Sequence, residues 1–233
     1  MPTPELIAHR GVPRERPENT LPGFMRALEA GAGGIELDVH ATADGVVVVH
    51  HDPVPRAVTT KSALAGRPIA RLSHLELRTF RVEGTTPIPT LAEVLAAVAD
   101  RATVYVEIKG AGIEARVLDV IAAAACRCAI HSFDHAQVLR VRRAAPTTPT
   151  GALVTERPPS PARLLADLGA RDLWPEWPII DASLVEAVHE GGGRVIAWTV
   201  NDAAAARRLA AIAVDGICTD RVAEIGAALG GVR

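Results

Sequence analysis

Short apolar runs and alanine-rich segments of helical periodicity alternate along nearly the whole chain, and this alternation constrains the fold more than any other feature. Alternation at this spacing is typical of parallel strands joined by crossover helices. Strands are predicted over 6–10, 34–39, 103–109, 128–133, 149–154, 171–174, 194–200 and 214–219, and helices over about 21–31, 91–99, 113–124, 135–144, 161–168, 181–190, 202–211 and 220–229.

Eight strand–helix units in 233 residues predict an α/β fold of the (β/α)8 TIM-barrel type. The alternative is an open doubly wound sheet, but no glycine-rich nucleotide loop follows the first strand, which counts against it.

The run VVVVHHD at 46–52 does not fit a plain barrel. It follows the second strand after a short turn that carries Asp44–Gly45, a dipeptide typical of hairpins. A parallel return would need a crossover of about a dozen residues or more. We therefore predict that 46–52 is an antiparallel arm that extends the second strand. A turn centred on the Ala43–Asp44 bond, with one residue of slack for a bulge, would pair Glu36 with His51 and Asp38 with Val49.

The segment that follows is rich in Pro, Arg, Ser and Gly. We interpret about 52–88 as an insertion over one end of the barrel, with a short helix near 73–79. A loop of this length is usually functional or disordered. The whole chain, 1–233, is then expected to form a single domain.

Composition excludes several classes of protein. The formal net charge is −2, whereas a protein that binds nucleic acid usually has a basic face. The sequence has no apolar run of membrane-spanning length and no secretory signal, so we expect a cytoplasmic protein without a stable membrane anchor. Its cysteines, Cys126, Cys128 and Cys218, match no common zinc pattern and are expected to be reduced and mostly buried. The oligomeric state is left open.

Acidic side chains interrupt two predicted strands. In GIELDVH the apolar residues face one side, and Glu36 and Asp38 face the other. The same alternation in VYVEIK turns Glu107 and Lys109 toward the barrel axis. Converging buried carboxylates repel each other, and a divalent cation such as Mg²⁺ or Ca²⁺ would relieve the repulsion. The alternative is a cluster of salt bridges between these carboxylates and the basic residues Arg10 and Lys109, although buried ion clusters are poor stabilisers.

Two histidines end the strands beside this cluster. His9 ends the first strand and His51 ends the hairpin arm, so the two imidazoles could act as an acid–base pair. Arg10 and Lys109 could bind an anion, for which phosphate is the natural candidate. In PENT, Thr20 is expected to cap a helix, and Asn19 either caps or touches the site. The remaining histidines are interpreted as structural or surface residues: His40, His50, His74, His131, His135 and His189.

Motifs along the chain, taken in order, resemble those of the glycerophosphodiester phosphodiesterase family. They are AHRG, PENT, IELDVHATADGVVVVHHD, IPTL, VEIK, SF, WTVN and VDGICTD, and they cover about residues 6 to 221. The resemblance implies a barrel enzyme that hydrolyses a small-molecule glycerophosphodiester to glycerol 3-phosphate and an alcohol. It places the catalytic histidines at His9 and His51, the cation ligands at Glu36, Asp38 and Glu107, and the phosphate contacts at Arg10 and Lys109.

The resemblance also implies attack by the glycerol hydroxyl and a cyclic phosphate that water opens later, although direct attack by water would use the same residues. Trp198 in WTVN is expected to wall the glycerol pocket or to pack in the barrel core. The sequence departs from the family at Val222, where proline is frequent, and in 172–177 and the insertion. Val222 should affect only the turn that follows, whereas 172–177 and the insertion should shape the leaving-group pocket.

Two further functions stay open at this point. A lysophospholipase D would use the same site on an acylated substrate and should expose an apolar patch. A catalytically silent phosphodiester-binding module would be expected to lack one of the histidines or acids, and none is missing.

Overall fold

The computed structural model describes residues 3–230. The strands are β1 (Glu5–His9), β2 (Gly34–Ala41), β3 (Val47–Val49), β4 (Val58–Thr59), β5 (Phe80–Val82), β6 (Thr86–Pro87), β7 (Thr103–Ile108), β8 (Cys128–Ser132), β9 (Thr150–Val154), β10 (Asp172–Pro175), β11 (Arg194–Ala197) and β12 (Gly216–Thr219). The helices are α1 (Leu21–Glu29), α2 (His74–Leu77), α3 (Leu91–Val98), α4 (Glu114–Ala122), α5 (His135–Ala144), α6 (Pro161–Leu168), α7 (Ala182–Glu190), α8 (Ala203–Ala211) and α9 (Val222–Gly230), and 3₁₀ turns span Ser62–Leu64, Ile69–Arg71 and Trp177–Ile179.

Eight parallel strands close into a barrel. They run in the order β1, β2, β7, β8, β9, β10, β11 and β12, and β1 pairs with both β2 and β12, so the sheet has no gap between its first and last strands. A helix follows each strand and packs on the outside. The predicted (β/α)8 TIM barrel is confirmed. The open doubly wound alternative is wrong, because in an open sheet the first and last strands of the chain would not pair with each other.

Apolar residues form two layers around the strands. Outward-facing residues such as Ile35, Leu37 and Val106 pack against the helices. A smaller cluster fills the barrel axis below the carboxyl ends of the strands, and its buried members are Ile7, Tyr105, Ala129, Leu153, Trp174, Ile196 and Cys218. The alternation predicted for the second and third barrel strands is therefore confirmed, since their Ile, Leu and Val residues face the helices.

Helix α1 begins as the sequence predicts. The side-chain oxygen of Thr20 accepts a hydrogen bond from the Gly23 N–H at 3.3 Å, and Pro22 occupies the first turn. The first turn of a helix leaves backbone N–H groups without partners inside the helix. Thr20 accepts from one of them, and Pro22 has no N–H that would need a partner. Residue 20 therefore belongs to the scaffold, and the chain before it is free to form the end of the first barrel strand.

The hairpin after β2 is confirmed, and its register differs by one residue from the central prediction, which is within the slack of one residue allowed for a bulge. β3 pairs antiparallel with β2, and Val49 lies opposite Val39 rather than Asp38. The Thr42 N–H donates to the Val46 carbonyl at 2.9 Å, which leaves a loop of three residues instead of two. Gly45 closes this loop with φ +87°, a left-handed conformation that glycine adopts without strain.

The insertion forms a small layer of its own. It contains a three-stranded antiparallel sheet of β4, β5 and β6, and helix α2 lies within the predicted 73–79. Its apolar residues, among them Leu72, Leu77 and Phe80, pack on Val48, whereas Val47 and Val49 pack on the barrel side. The β3 arm is therefore buried on both faces, and the insertion holds it against the barrel.

The surface shows few large apolar groups. Among residues 3–230, the exposed large apolar side chains are Val58, Leu75 and Phe133. No helix in this part of the chain has both the length and the apolar character needed to cross a membrane.

Gly34 lies where the barrel interior has no room for a side chain. A Cβ atom there would approach the side chains of Ile7 and Tyr105 to 2.9 Å. We expect Gly34→Ala to lower the free energy of unfolding by about 1–3 kcal/mol, the usual cost of overpacking a core, measured by urea denaturation. Gly33→Ala is the matched control, because its Cβ would meet Glu5 Cγ and the Leu6 carbonyl oxygen at ordinary distances of 3.7 and 3.9 Å. Equal midpoints for the two variants would contradict this account.

Candidate active site

The register of the parallel strands brings polar side chains together at their carboxyl ends. His9 lies opposite Glu36, Asp38 lies opposite Glu107, and Glu107 lies opposite His131. Carboxyl ends of barrel strands are the usual place for active sites in this fold. The carboxyl ends of the strands in this protein surround a cavity of about 110 Å³. The residues that line it are His9, Arg10, Glu36, His51, Glu107, Lys109, His131, Phe133, Leu153, Trp174, Trp198 and Cys218.

A left-handed turn follows directly after β1 and explains the sequence His9–Arg10–Gly11. Arg10 and Gly11 have φ values of 54° and 91°. A Cβ atom on Gly11 would lie 2.9 Å from the carbonyl carbon of Gly23, so only glycine fits against α1. The Arg10 N–H donates to the Glu36 carbonyl at 3.0 Å, which ties the turn to β2. The turn directs the Arg10 guanidinium across the barrel end.

The basic residues pair with the buried carboxylates. Arg10 Nε lies 3.1 Å from Asp38 Oδ2, and Lys109 Nζ lies 2.6 Å from Glu107 Oε1 and 3.5 Å from Asp38 Oδ1. This is the salt-bridge arrangement that the sequence left open as an alternative to a cation site. Two positive side chains here face three carboxylates, however, because Glu36 lies in the same group.

Asn19 stands behind Asp38. It is almost fully buried, its Nδ2 donates to Asp38 Oδ2 at 2.9 Å, and its Oδ1 accepts from the Asp38 N–H at 3.3 Å. Both ends of the amide are thus engaged with Asp38, and Asn19 is not part of the cavity wall. This placement favours a role in orienting Asp38 over the substrate contact that the sequence predicts.

Uncompensated negative charge remains at the barrel end. Burial raises the pKa of Asp38, but the charges of Arg10 and Lys109 and the Asn19 hydrogen bond lower it more, so this pKa lies below its ordinary value. Burial and the charge of Asp38 raise the pKa of Glu107 to about 7. In addition, Asp38 Oδ1 is buried and makes no hydrogen bond, since its ion-pair contact with Lys109 Nζ is long, at 3.5 Å. These carboxyl oxygens therefore form an environment that favours a cation.

Three side chains are placed so that they could hold a metal ion together. Glu36, Glu107 and His131 each offer a ligand atom within 4.8 Å of the others. Asp38 is not one of this trio, and its Oδ2 contacts Asn19 and Arg10 whereas its Oδ1 makes no hydrogen bond. His131 was interpreted from the sequence as a structural or surface residue, and the structure places it, buried, on the cavity wall. The signal was available, because His131 alternates with the outward-facing Ile130 on β8 and must therefore face the axis.

Each of the two predicted catalytic histidines bonds to an aspartate. His9 Nδ1 lies 2.7 Å from Asp220 Oδ1, and His51 Nδ1 lies 2.6 Å from Asp52 Oδ1. Asn201 Nδ2 donates to the other Asp220 oxygen at 2.6 Å. The sequence analysis assigned no role to any of these three partners. Asp52 adjoins His51 and could have been found by adjacency, whereas Asp220 is distant in sequence and meets His9 only because β12 pairs with β1.

The Asp220 contact changes the protonation of His9. Burial lowers the pKa of the imidazole, but the hydrogen bond to Asp220 and the negative charge of Glu36 raise it more. The net pKa of His9 therefore lies above its ordinary value. An aspartate on Nδ1 also fixes the orientation of the ring, so that Nε2 is left for other partners.

Aromatic and aliphatic groups form the other side of the cavity. Trp198 Nε1 donates to the Trp174 carbonyl at 2.8 Å, and its ring meets Phe133 edge to face with centroids 5.4 Å apart. Trp174 itself is buried and stacks on His131 at 4.3 Å. Trp198 thus lies on the cavity wall, which is one of the two positions that the sequence predicts for it. The cavity has a charged half and an apolar half.

Other histidines support the hairpin. His40 Nε2 lies 3.0 Å from the His51 carbonyl, and His50 Nε2 accepts the Arg56 N–H at 3.0 Å. Burial lowers the pKa of His50 to about 4, so this imidazole is neutral and acts as an acceptor. His50 faces away from His51, as predicted, and both contacts position the backbone that carries His51.

Comparison with known proteins identifies relatives over most of the chain. The model of the glycerophosphoryl diester phosphodiesterase family matches residues 9–224. A protein named glycerophosphodiester phosphodiesterase from Caldanaerobacter subterraneus is 33% identical over 226 residues, which are 92% of this chain and 93% of that protein.

Solved structures of similar proteins share the fold. A crystal structure of glycerophosphodiester phosphodiesterase from Thermotoga maritima is 28% identical, with a TM-score of 0.81 over 97% of this chain and 99% of that one. One from Agrobacterium tumefaciens is 26% identical, with a TM-score of 0.85 over 96% and 99%.

Asp220→Asn tests the electrostatic link to His9. Loss of the carboxylate charge should lower the pKa of His9, and NMR titration of the imidazole resonances measures this shift. Asp167→Asn is the control, because it neutralises an aspartate on the outer helix α6 that pairs with Arg163. It should leave the His9 midpoint unchanged. An unchanged midpoint in Asp220→Asn would refute the link.

Proposed function

The chain belongs to the glycerophosphoryl diester phosphodiesterase family and is an enzyme of that family; on this premise we propose that it hydrolyses glycerophosphodiesters to glycerol 3-phosphate and an alcohol. The observation that carries the proposal is the arrangement around one cavity. Two imidazoles, each bound to an aspartate, line the same small space as Arg10, Lys109 and two carboxylates. Acid–base groups, cations and carboxylates in one cavity are what transfer of a phosphoryl group requires.

Arg10 and Lys109 are the proposed phosphate ligands. Both side chains are about one-fifth exposed, both line the cavity, and both already pair with anions there. A guanidinium and an ammonium make charge-assisted hydrogen bonds to phosphate oxygens. Their positive charges would offset both the carboxylates and the phosphate. With a divalent cation and a phosphodiester bound, the net charge of the site would be close to zero.

Glu36, Asp38 and Glu107 are the proposed ligands of one divalent cation, Mg²⁺ or Ca²⁺, with His131 as a candidate fourth. The lack of a hydrogen bond to Asp38 Oδ1, the raised pKa of Glu107 and the oxygen-rich donor set support this fit. When bound, such a cation neutralises charge on the phosphate and lowers the pKa of a coordinated hydroxyl.

His9 and His51 are the proposed proton carriers. Their Nδ1 atoms are engaged by Asp220 and Asp52, which leaves the Nε2 atoms for the substrate. One imidazole takes the proton of the attacking hydroxyl, and the other gives a proton to the departing alcohol. The proposed nucleophile is the glycerol 2-hydroxyl, which yields a cyclic phosphate for water to open. Direct attack by water would use the same two imidazoles.

The apolar half of the cavity supports a small substrate. Trp198 and Leu153 could pack against the carbon atoms of glycerol. A lysophospholipase D, the second candidate, would need a surface for its acyl chain. Among the described residues, Phe133 is the one exposed large apolar side chain that also lines the cavity. A single such side chain offers little surface for an acyl chain, and this favours a substrate without one. We propose a cytoplasmic location, which agrees with three unpaired thiols.

A panel of glycerophosphodiesters tests substrate and cation together. We expect release of glycerol 3-phosphate, followed by a coupled assay, from at least one head group, and loss of turnover after chelation. The apolar core does not involve the carboxylate group, so the circular dichroism spectrum should stay unchanged on chelation. Mg²⁺ or Ca²⁺ should restore the rate. Full turnover after exhaustive chelation would contradict the cation, and no release from any substrate by folded, metal-loaded protein would contradict the enzyme.

Alanine variants test the two imidazoles. We expect His9→Ala and His51→Ala each to lower kcat by at least ~10²-fold, the scale of general acid–base catalysis. His189→Ala is the control, because His189 bonds Asp215 on the outside of the barrel. It should keep kcat near that of the wild type. A near-normal kcat in either cavity variant would remove that residue from the proposed mechanism.

A further inference from the structure

One side-chain amide joins the loops that follow the last two barrel strands. Asn201 lies in the loop after β11, and Asp220 directly follows β12. The Val200 N–H donates to the Cys218 carbonyl at 2.9 Å, so the backbone before Asn201 runs beside β12. Asn201 is partly buried and does not line the cavity. Any effect of its side chain on the cavity must therefore pass through a neighbouring residue.

The orientation of the Asn201 amide follows from its partners. Its Oδ1 accepts the backbone N–H of Asp220 at 2.9 Å. The Thr219 hydroxyl accepts the Arg221 N–H at 3.0 Å and gives its own proton to the same Asn201 oxygen, also at 3.0 Å. A backbone N–H can only donate, so this end of the amide must be the oxygen. The other end is Nδ2, and it donates to Asp220 Oδ2 at 2.6 Å.

Asp220 is thereby held at both its backbone and its carboxylate. Oδ2 accepts from Asn201, and Oδ1 lies 2.7 Å from His9 Nδ1. Within residues 3–230, this carboxylate makes no other hydrogen bond. A carboxylate bonded through one oxygen alone could turn about its own axis. Asn201 therefore fixes the plane in which Oδ1 meets the imidazole.

The imidazole of His51 is supported differently. Asp52 bonds His51 through one oxygen, and its other oxygen pairs with Arg56, whose side chain is 79% exposed. Exposed ion pairs are weak because water competes for both partners. The Asn201 amide, in contrast, makes three hydrogen bonds to groups at the end of β12. The structure thus holds His9 more firmly than His51.

We propose that Asn201 is a positioning residue for proton transfer by His9. It fixes the Asp220 carboxylate, which in turn directs Nε2 of His9 into the cavity. This role rests on the proposed function, because the orientation of His9 affects turnover only if this imidazole carries a proton. Since Asn201 does not line the cavity, its loss should leave substrate contacts unchanged and act on kcat rather than on KM.

Steady-state kinetics of the full, metal-loaded chain test this role. We expect Asn201→Ala and the nearly isosteric Asn201→Leu each to lower kcat about tenfold, with KM within about twofold of the wild type, because a reacting group is misplaced while binding is intact. Thermal melting shows whether each variant folds, and leucine fills the volume that alanine leaves empty. A normal kcat in either folded variant would overturn the proposal.

Asp202→Ala is the matched control in the same loop. Asp202 caps α8, since its side chain accepts the Ala205 N–H at 2.7 Å. Loss of a cap destabilises the helix start without touching Asp220. The control should melt at a lower temperature and keep the wild-type kcat. An equal loss of kcat in Asp202→Ala and Asn201→Ala would mean that loosening the loop is sufficient, and the specific role of Asn201 would be refuted.

A double-mutant cycle shows whether Asn201 acts through Asp220. In an Asp220→Ala background, Asn201→Ala should lower kcat no further, because the carboxylate that it positions is gone. A further loss as large as that in the wild-type background would show that Asn201 acts by another route, and would overturn the proposal.

The ring nitrogens of His9 provide a measurement that does not depend on turnover. Heteronuclear NMR of the isotopically labelled protein, above the His9 midpoint, should show the Nδ1–H tautomer, because Asp220 accepts at Nδ1. His9→Ala identifies the signals. Asn201→Ala should shift them toward those of a free imidazole, and Asp202→Ala should not. If the wild type releases no glycerol 3-phosphate, the proposed function fails by itself, and this spectrum still decides whether Asn201 positions His9. Unchanged His9 signals in Asn201→Ala would refute that.

Discussion

The alignment of neighbouring parallel strands at their carboxyl ends is the constraint on which the rest of this structure depends. His9 lies level with Glu36, and Asp38 and Glu107 lie level with each other and with His131. Side chains alternate between the axis and the helices, so a shift of one residue in any of these pairings would turn the acids toward apolar helices. The hydrogen-bonded ladder thus determines both where the core lies and which side chains share the cavity.

This alignment concentrates negative charge where little water reaches. Arg10 and Lys109 offset part of it, and Asn19 occupies one oxygen of Asp38. The negative charge that is not offset contributes, together with burial, to the raised pKa of Glu107. Buried ion clusters contribute little to stability, whereas strongly perturbed groups in a cavity are characteristic of functional sites. The arrangement therefore makes more sense as a binding site for a cation and an anion than as a structural cluster.

The two ends of the barrel have different chemistry. At the carboxyl ends, the hairpin arm β3 carries the chain to His51, and the insertion covers Val48 so that this arm is buried on both faces. At the amino ends, Cys126 and Cys128 lie beside the start of β8, away from the carboxylates. Both are partly exposed, so the prediction of mostly buried thiols is correct for Cys218 and wrong for this pair. The packed apolar cluster on the barrel axis, which includes Ile7 and Trp174, lies between the two ends.

Periodicity was enough to predict much of this protein from its sequence. The eight barrel strands and the axis-facing Glu36, Asp38 and Glu107 follow from alternations of two and 3.6 residues, which are local properties of the chain. The hairpin after the second strand follows from another local feature, the short turn with Asp44–Gly45. The same alternation turns His131 toward the axis, although the sequence was interpreted as giving it a structural or surface role. Tertiary structure alone decided that Asp220 meets His9, that Asn19 serves Asp38, and that the hairpin loop has three residues. These depend on how the barrel closes and how a turn is bonded, and such distances between remote segments are not encoded in the spacing of residues along the chain.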